Sequence, residues 1–367
     1  MAGEKPTSRR EFLGGRAAAR ALLERMQALA DRAAGTWSGE TPPAVTPRRR
    51  APSTVAHLHA SRQSMACEFD IQYHAADGPV ATSVAIGALD LIDQLESQLT
   101  VYRPTSEVMD VNRSAASRPV AVEPRLFALL ELCAVLYDET GGAFDVTAGP
   151  LSRVWGFLVR QGRLPTGDEI KAARRLTGFD QVRLDIAART VAFAQPGVEI
   201  NFNAIGKGYA LDRVAAHMAE CGVDDYLCHG GRSSVLARGR DRGDDCGGWR
   251  IAVPHPFDPG RCVGEIVLRD AALGTSGGGT QFFEVEGRRY AHLIDPRTGR
   301  PAEGVLTATA VTDSAAAADA LSTALFILGP GDAAEYCAAH PEVGVVMVCG
   351  PASGPASRTP RRPARTP

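Results

Sequence analysis

The sequence predicts an α+β domain, and three observations carry the prediction. Apolar residues recur at helical spacing over long segments such as Val84–Leu99, Pro124–Glu139 and Tyr209–Cys221. The shorter apolar runs between them come mostly as hairpin-linked pairs, as in DQVRLDIAARTVAFA over Asp180–Ala194. The two kinds of segment do not alternate as strict βαβ units, which a parallel α/β sheet would need. No internal repeat is visible.

Size and charge agree with one substantial core. The chain has 367 residues, 44% of them hydrophobic, enough for one large or two ordinary domains. A formal net charge of -2 argues against a general nucleic-acid or membrane-surface binder. No run approaches the roughly 18 apolar residues of a membrane span. The 8 cysteines are scattered without a CxxC pair, so they read mostly as buried thiols, not as a zinc site or disulfide framework.

Both ends differ from the middle. Residues 1–56 divide into a charged segment and a Pro/Arg-rich linker, TPPAVTPRRRAPS. Ser8-Arg9-Arg10-Glu11-Phe12-Leu13 resembles a twin-arginine export motif. Arg16, Arg20, Glu24 and Arg25 interrupt the apolar stretch that export needs, so an amphipathic helix is expected instead. The chain is then expected to stay intracellular with this segment retained; a degenerate export signal is the alternative. Residues 350–367 read as a disordered basic tail, leaving residues 57–349 as the globular domain.

Within the domain, Glu68–His74 is a strand, Val84–Leu99 a helix and Val101–Arg113 a polar loop. The helix Pro124–Glu139 stops at Gly141-Gly142, and Asp168–Leu176 is a third, short helix. Glu199–Asn203 is a strand running into Ala204–Gly208, after which the helix Tyr209–Cys221 begins. Tyr226–His229, Trp249–Val253, Gly264–Leu268, Thr280–Glu286, Arg289–Ile294 and Val343–Cys349 complete the strands. Val311–Gly329 is a helix of about four turns, capped by Thr312 or Asp313 and stopped at Gly329-Pro330.

That last helix is apolar almost throughout and should be buried, yet it carries Asp319 and Thr323 one turn apart on one face. A buried carboxylate needs a partner or a metal. A carboxylate beside a hydroxyl suits Mg²⁺ when substrate phosphates complete the shell. A core helix whose Asp is neutralised by protein groups fits the residues equally well.

Four further motifs carry chemistry. Asn203–Gly208, NAIGKG, ends a strand and opens a helix, as a phosphate-binding turn does, but lacks the Walker A spacing. Gly274-Thr275-Ser276-Gly277-Gly278 fits G-x-S-x-G, but a hairpin pattern follows where a nucleophile elbow needs a helix. Its glycines read better as a nest of amides for phosphate or a close ring. His292 in HLIDPRTG can act as a general base near neutral pH, with Asp295 as a turn-former. Asp145 in GGAFD can hold a ring imide or cap the next segment.

Together the pieces resemble the FAD:protein FMN transferase family, the ApbE-like flavin transferases. The matching segments are Met65, LTVYRPTSEVMDVN, GGAFDVTAGPL, INFNAIGKGYALDR, TSGGGTQFFEVEGRRYAHLIDPRTGRP and DSAAAADALSTALFILG, in the family's order over about residues 60–330. The resemblance implies one compact T-fold-like domain. It also implies Mg²⁺-dependent transfer of FMN from FAD to a Ser or Thr of a partner flavoprotein, with release of AMP. Carried over by motif, Met65, Tyr102, Ala143, Phe144 and Asp145 line the flavin, and Lys207 and Leu293 contact FAD. Asp319 and Thr323 bind Mg²⁺ by side chain, Ala204 by its carbonyl, and His292 is the acid/base. Asn201 stands at a cofactor position where many members carry Asp, and it brings no charge. Met65-Ala66-Cys67 replaces the commoner Met-Gly-Thr, and His229–Ser233 departs from the usual Gly-Gly-Asp-like turn. FAD hydrolysis to FMN and AMP, or FAD carriage without turnover, would use the same residues.

Overall fold

A computed structural model describes residues 55–350, apart from Pro259 and Thr280. The readings on residues 1–54 and 351–367 lie outside it.

The chain opens on a hairpin of β1 (His57–Ser64) and β2 (Cys67–His74), followed by α1 (Gly78–Leu99) and α2 (Glu107–Ser114). Then come β3 (Val120–Ala121), α3 (Pro124–Glu139), α4 (Gly149–Val154), α5 (Gly167–Arg174), β4 (Val182–Asp185) and β5 (Thr190–Phe193). The second half holds α6 (Gly206–Glu220), β6 (Tyr226–Gly230), β7 (Ser234–Arg238), β8 (Trp249–Pro254), β9 (Cys262–Leu268) and β10 (Ala271–Gly277). It ends with β11 (Phe282–Val285), β12 (Arg288–Ala291), β13 (Ile294–Asp295), β14 (Arg300–Pro301), β15 (Val305–Thr312), α7 (Ala315–Ala339) and β16 (Gly344–Cys349).

Seven strands form one antiparallel sheet in the order β1-β2-β6-β7-β10-β15-β16. Period-2 alternation sorts its side chains to two faces. Phe69, Ile71 and Tyr73 of β2 and Leu236 of β7 join the main core, with α1, α6 and α7 against the sheet. Val235 and Ala237, the neighbours of Leu236, join Trp249 and Leu268 of the β8–β9 hairpin in a second cluster. The α+β class, drawn from hairpin-linked strands and separate helices, holds.

Among the described residues α1 alone is long and apolar enough to cross a membrane, a feature the count of apolar runs did not single out. It buries Ala81, Ala85, Ala88, Leu89, Ile92, Leu95 and Leu99, while Asp90 and Asp93 bind Arg62 of β1. That is one packed stripe and one polar side, the pattern of a surface helix on a sheet.

Several predicted elements are corrected. Val101–Arg113 is not all loop: Ser106 Oγ accepts from Met109 N and starts α2, which buries Val108 and Val111. Glu199–Asn203 pairs with no strand. The Asn112 side chain instead bonds both the amide and the carbonyl of Ile200, at 2.7 and 2.9 Å, taking the place of a neighbouring strand. Predicting a helix from Val311 hid β15, which lies between β10 and β16. The cap of α7 is Ser314, whose Oγ accepts from Ala317 N, not Thr312 or Asp313. Gly329 does break the helix (φ 78°), but the chain resumes helical turns to Ala339. The strands β1 and β7 were not predicted at all.

Candidate active site

The seam between α6, α7 and β10 is set by small residues and one half-buried carboxylate. Asp212 of α6 accepts from the amides of Ala315 and Ala316 and from Ser314 Oγ, at 2.7–2.9 Å. It therefore caps α7 from a neighbouring helix and locks the two together. A Cβ on Gly208 would lie 2.0 Å from the Ala315 carbonyl oxygen. A Cβ on Gly274 would lie 2.5 Å from backbone atoms of Ala318. Only glycine lets the three elements approach this closely. Gly274 and Gly277 belong to a regular strand and neither has positive φ, so the nest reading of GTSGG is wrong. Ser276 is likewise a strand residue, not a nucleophile on an elbow.

This packing places Asp319 at the foot of a cavity of ≈ 570 Å³. Asp319 is buried, with 5% exposure. Its Oδ2 accepts from Gly208 N at 2.8 Å and Ser234 Oγ at 2.9 Å, and Lys207 Nζ lies 3.9 Å away. Burial raises its pKa, and Lys207 and these donors oppose the rise. Thr323 Oγ1 is 3.0 Å from Ser276 Oγ, which also lies 2.9 Å from Ser322 Oγ.

The opposite wall comes from turns. Met65 (φ 48°) and Ala66 (φ 59°) make the two-residue turn between β1 and β2, both left-handed, as a type I′ turn requires. Asp145 Oδ1 accepts from Thr147 N and Oγ1, both at 2.7 Å, which holds the turn before α4; the cap of α4 itself is Ala148, with no side-chain bond. Its Oδ2 is buried without a hydrogen-bond partner. Burial pushes the Asp145 carboxyl up to about 6, against the Thr147 bonds. Ala143 and Phe144 are buried beside it, whereas Tyr102 is 66% exposed at the rim.

His292 lies between the two walls. Its Nδ1 is 3.0 Å from the Gln281 carbonyl oxygen, which can only accept. The proton of the neutral ring is therefore on Nδ1, and Nε2 is left as the base. Burial lowers the imidazole's pKa, partly offset by the Gln281 bond. Asp295 is the turn-former of the sequence reading, accepting from Arg297 N at 2.9 Å.

All twelve residues singled out from the sequence line this one cavity: Met65, Tyr102, Ala143, Phe144, Asp145, Asn201, Ala204, Lys207, His292, Leu293, Asp319 and Thr323. Asn201 uses its Oδ1 locally, accepting from Asn203 N at 3.0 Å. Sequence reasoning missed the hydroxyls of Ser234 and Ser276 and the orienting carbonyl of Gln281. Ser276 was visible inside a motif, but its meeting with Thr323 needs the β10–α7 packing.

The donor set fits a hard cation. Every bond to the Asp319 side chain falls on Oδ2, leaving Oδ1 clear of them. The Gly208 amide, a first-turn donor of α6 with no acceptor inside the helix, is given to Asp319. One carboxylate, one hydroxyl and one carbonyl are oxygen ligands of the kind Mg²⁺ takes beside phosphates.

The comparisons with known proteins point one way. The sequence model described as the ApbE family matches residues 65–347. An FAD:protein FMN transferase of Vibrio cholerae is 33% identical over 277 residues, covering 74% of this chain and 81% of that protein. One from Escherichia coli K12 is 31% identical over 253 residues, 67% of this chain and 70% of that protein. The crystal structure of the ApbE protein of Thermotoga maritima superposes with a TM-score of 0.74 at 27% identity, covering 81% of this chain and 96% of that one. The flavin transferase ApbE of V. cholerae gives 0.71 at 28% identity, covering 80% and 94%.

Proposed function

The chain belongs to the ApbE family, and from that premise we propose that it transfers FMN from FAD to a Ser or Thr hydroxyl of a partner flavoprotein, with Mg²⁺ and with release of AMP. It is a transferase acting on a flavin substrate. One observation carries the finer reading. A base, a cation and an oxygen donor set sit in the same cavity as a buried carboxylate oxygen that lacks a partner.

The chemistry follows from that layout. The flavin ring would lie against Met65, Tyr102 and Ala143–Asp145, where the orphaned Asp145 Oδ2 can accept from the ring imide. Lys207 and the amides opening α6 favour the pyrophosphate at the other wall. Asp319, Thr323 and the Ala204 carbonyl would hold Mg²⁺, which when bound neutralises phosphate charge and polarises the bond to the leaving group. His292 Nε2 takes the proton of the incoming hydroxyl as its oxygen attacks the FMN phosphorus. The phosphorus–oxygen bond to AMP breaks, and the AMP phosphate carries away the electron pair. Positioning and charge stabilisation supply most of the rate in such transfers.

The test is to incubate the purified chain with FAD, Mg²⁺ and a candidate acceptor. Flavinylated acceptor with stoichiometric AMP supports transfer. Free FMN without modified acceptor would show hydrolysis instead, and unchanged bound FAD would show a carrier.

A further inference from the structure

A second cluster of ligating side chains lies at the far end of the main sheet. His57 and His74 are direct cross-strand partners, the first pair of the β1–β2 ladder. Their ring centroids are 4.9 Å apart. Asp241, from the connection between β7 and β8, completes the group, and the donor atoms of all three lie within 4.8 Å of one another. The turn at Met65 is eight residues along the chain from His57, about 26 Å at a strand's rise, so the cluster is separate from the cavity.

Two features go beyond proximity. His74 is fully buried, and its Nδ1 has no hydrogen-bond partner. Its Nε2 lies 3.2 Å from the Arg240 carbonyl oxygen and 3.4 Å from the Arg242 amide nitrogen, so with Nδ1 on a metal the Nε2 proton would go to the Arg240 carbonyl. A metal-binding histidine is oriented in this way, with its other N–H held by a backbone carbonyl. His57 Nε2 and Asp241 Oδ1 are 3.1 Å apart, close to the roughly 3.3 Å edge of a tetrahedron with metal–ligand bonds near 2.0–2.1 Å. Gly243 N donates to Asp241 Oδ1 at 2.9 Å and steadies that carboxylate. Trp249 stacks on His74 at 5.5 Å and closes one side.

We propose that His57 Nε2, His74 Nδ1 and Asp241 form a second metal site that takes a divalent transition metal, Zn²⁺ foremost. Two imidazoles and one carboxylate favour Zn²⁺ over Mg²⁺, in contrast to the oxygen donors around Asp319. The metal replaces the proton shared between His57 and Asp241. It ties the start of β1 and the end of β2 to the β7–β8 connection, a structural staple remote from the reaction.

The full chain, stripped of metal and then titrated with Co²⁺, tests this. The expected result is a visible band of low-coordinate Co²⁺ at one equivalent, displaced by Zn²⁺, with quenching of Trp249 fluorescence. The band should persist in Asp319→Asn, which disables the cavity's donor set. His57→Ala changes a partly exposed residue and should fold. It should weaken Zn²⁺ binding by more than the roughly 10–100-fold that loss of an outer partner costs, with FAD turnover unchanged. The proposal is overturned if the wild type retains no Zn²⁺, or if His57→Ala and His74→Gln retain it as well as the wild type does.

Discussion

The two walls of the cavity are built on opposite terms. The wall with Asp319, Thr323 and Ser276 stands on α7 and β10, and each of these side chains has a protein partner. The wall with Met65 and Asp145 stands on turns. It holds two non-glycine residues in left-handed backbone and one buried oxygen without a partner. Groups that act on a phosphorus must already be aligned when charge develops, and regular elements hold them still. A wall that receives a large ring can be left incomplete, because the ring supplies what is missing. Changes on the first wall should therefore cost rate, while changes on the second should trade binding against stability.

The largest effect is expected at Asp319. Asp319→Ala removes the one charged oxygen donor of the set and should reduce flavin transfer on the order of 10³-fold or more. Asp319→Asn is the control for folding, since it keeps an acceptor for Gly208 N and Ser234 Oγ and should melt near the wild type. Normal Mg²⁺-dependent turnover by either variant would show that the cation sits elsewhere.

His292→Asn comes next. It should retain FAD and lose about 10²–10⁴-fold in rate, the range for a general base. The pH profile carries the same test. Burial lowers this imidazole's pKa below its ordinary 6.5, so the base stays neutral further into acid. The acid limb of kcat/KM should therefore break below 6.5 and vanish in the variant. If FAD affinity and rate fall together, His292 shapes the wall and does not move a proton.

Gly274→Ala probes the same wall through packing. Its Cβ would meet main-chain atoms of Ala318 and Asp319, which cannot swing away as a side chain can. We expect a loss of about 1–3 kcal/mol in equilibrium unfolding, with transfer impaired because Asp319 is displaced. A variant as stable and active as the wild type would mean that the seam is looser than its geometry.

How much of this was legible depended on how local the signal was. The long helices and the β4–β5 hairpin followed from spacing, and the twelve site residues from motifs together with the family resemblance they carry. The strand β7 and the segment around Ile200 did not, for opposite reasons. Ser234–Arg238 carries its apolar residues as one unbroken run, Val235-Leu236-Ala237, too short to show an alternation, and its strand identity comes from β6 and β10. Glu199–Asn203 alternates well, yet its partner is the Asn112 side chain, 88 residues away. GTSGG misled because glycine serves anion binding and close packing equally, and only the approach of Ala318 to Gly274 separates them.

Asp145→Asn should gain stability and lose binding. The carboxyl's pKa is about 6 in the folded chain against 3.8 ordinarily, so the folded state holds its proton more tightly. The folded state therefore binds more protons between those values, and stability falls as pH rises through 6. The full difference corresponds to about 3 kcal/mol at neutral pH. Asn keeps the Oδ1 acceptor for Thr147, but its amide needs a partner of its own. A gain of about 1–2 kcal/mol at pH 7, absent at pH 4, is expected in denaturant unfolding, with weaker FAD binding. An equal gain at both pH values would assign it to something other than this carboxylate.

The smallest effect is expected at the turn itself. Ala66 holds φ 59°, where an L side chain crowds the backbone at a cost of roughly 1–2 kcal/mol. Glycine adopts that conformation freely, but it also widens the unfolded ensemble, which returns part of the gain. Ala66→Gly should therefore stabilise the chain by about 0.5–1 kcal/mol, read as a shift in the denaturant midpoint at constant slope. Met65 needs the same backbone at φ 48° and keeps its side chain at the cavity, so the wall's shape should survive. Unchanged or reduced stability would mean that the β1–β2 ladder, not the residue, absorbs the strain. Weaker FAD binding alongside the gain would show that the ring depends on the strained geometry, and would set this wall still further apart from the other.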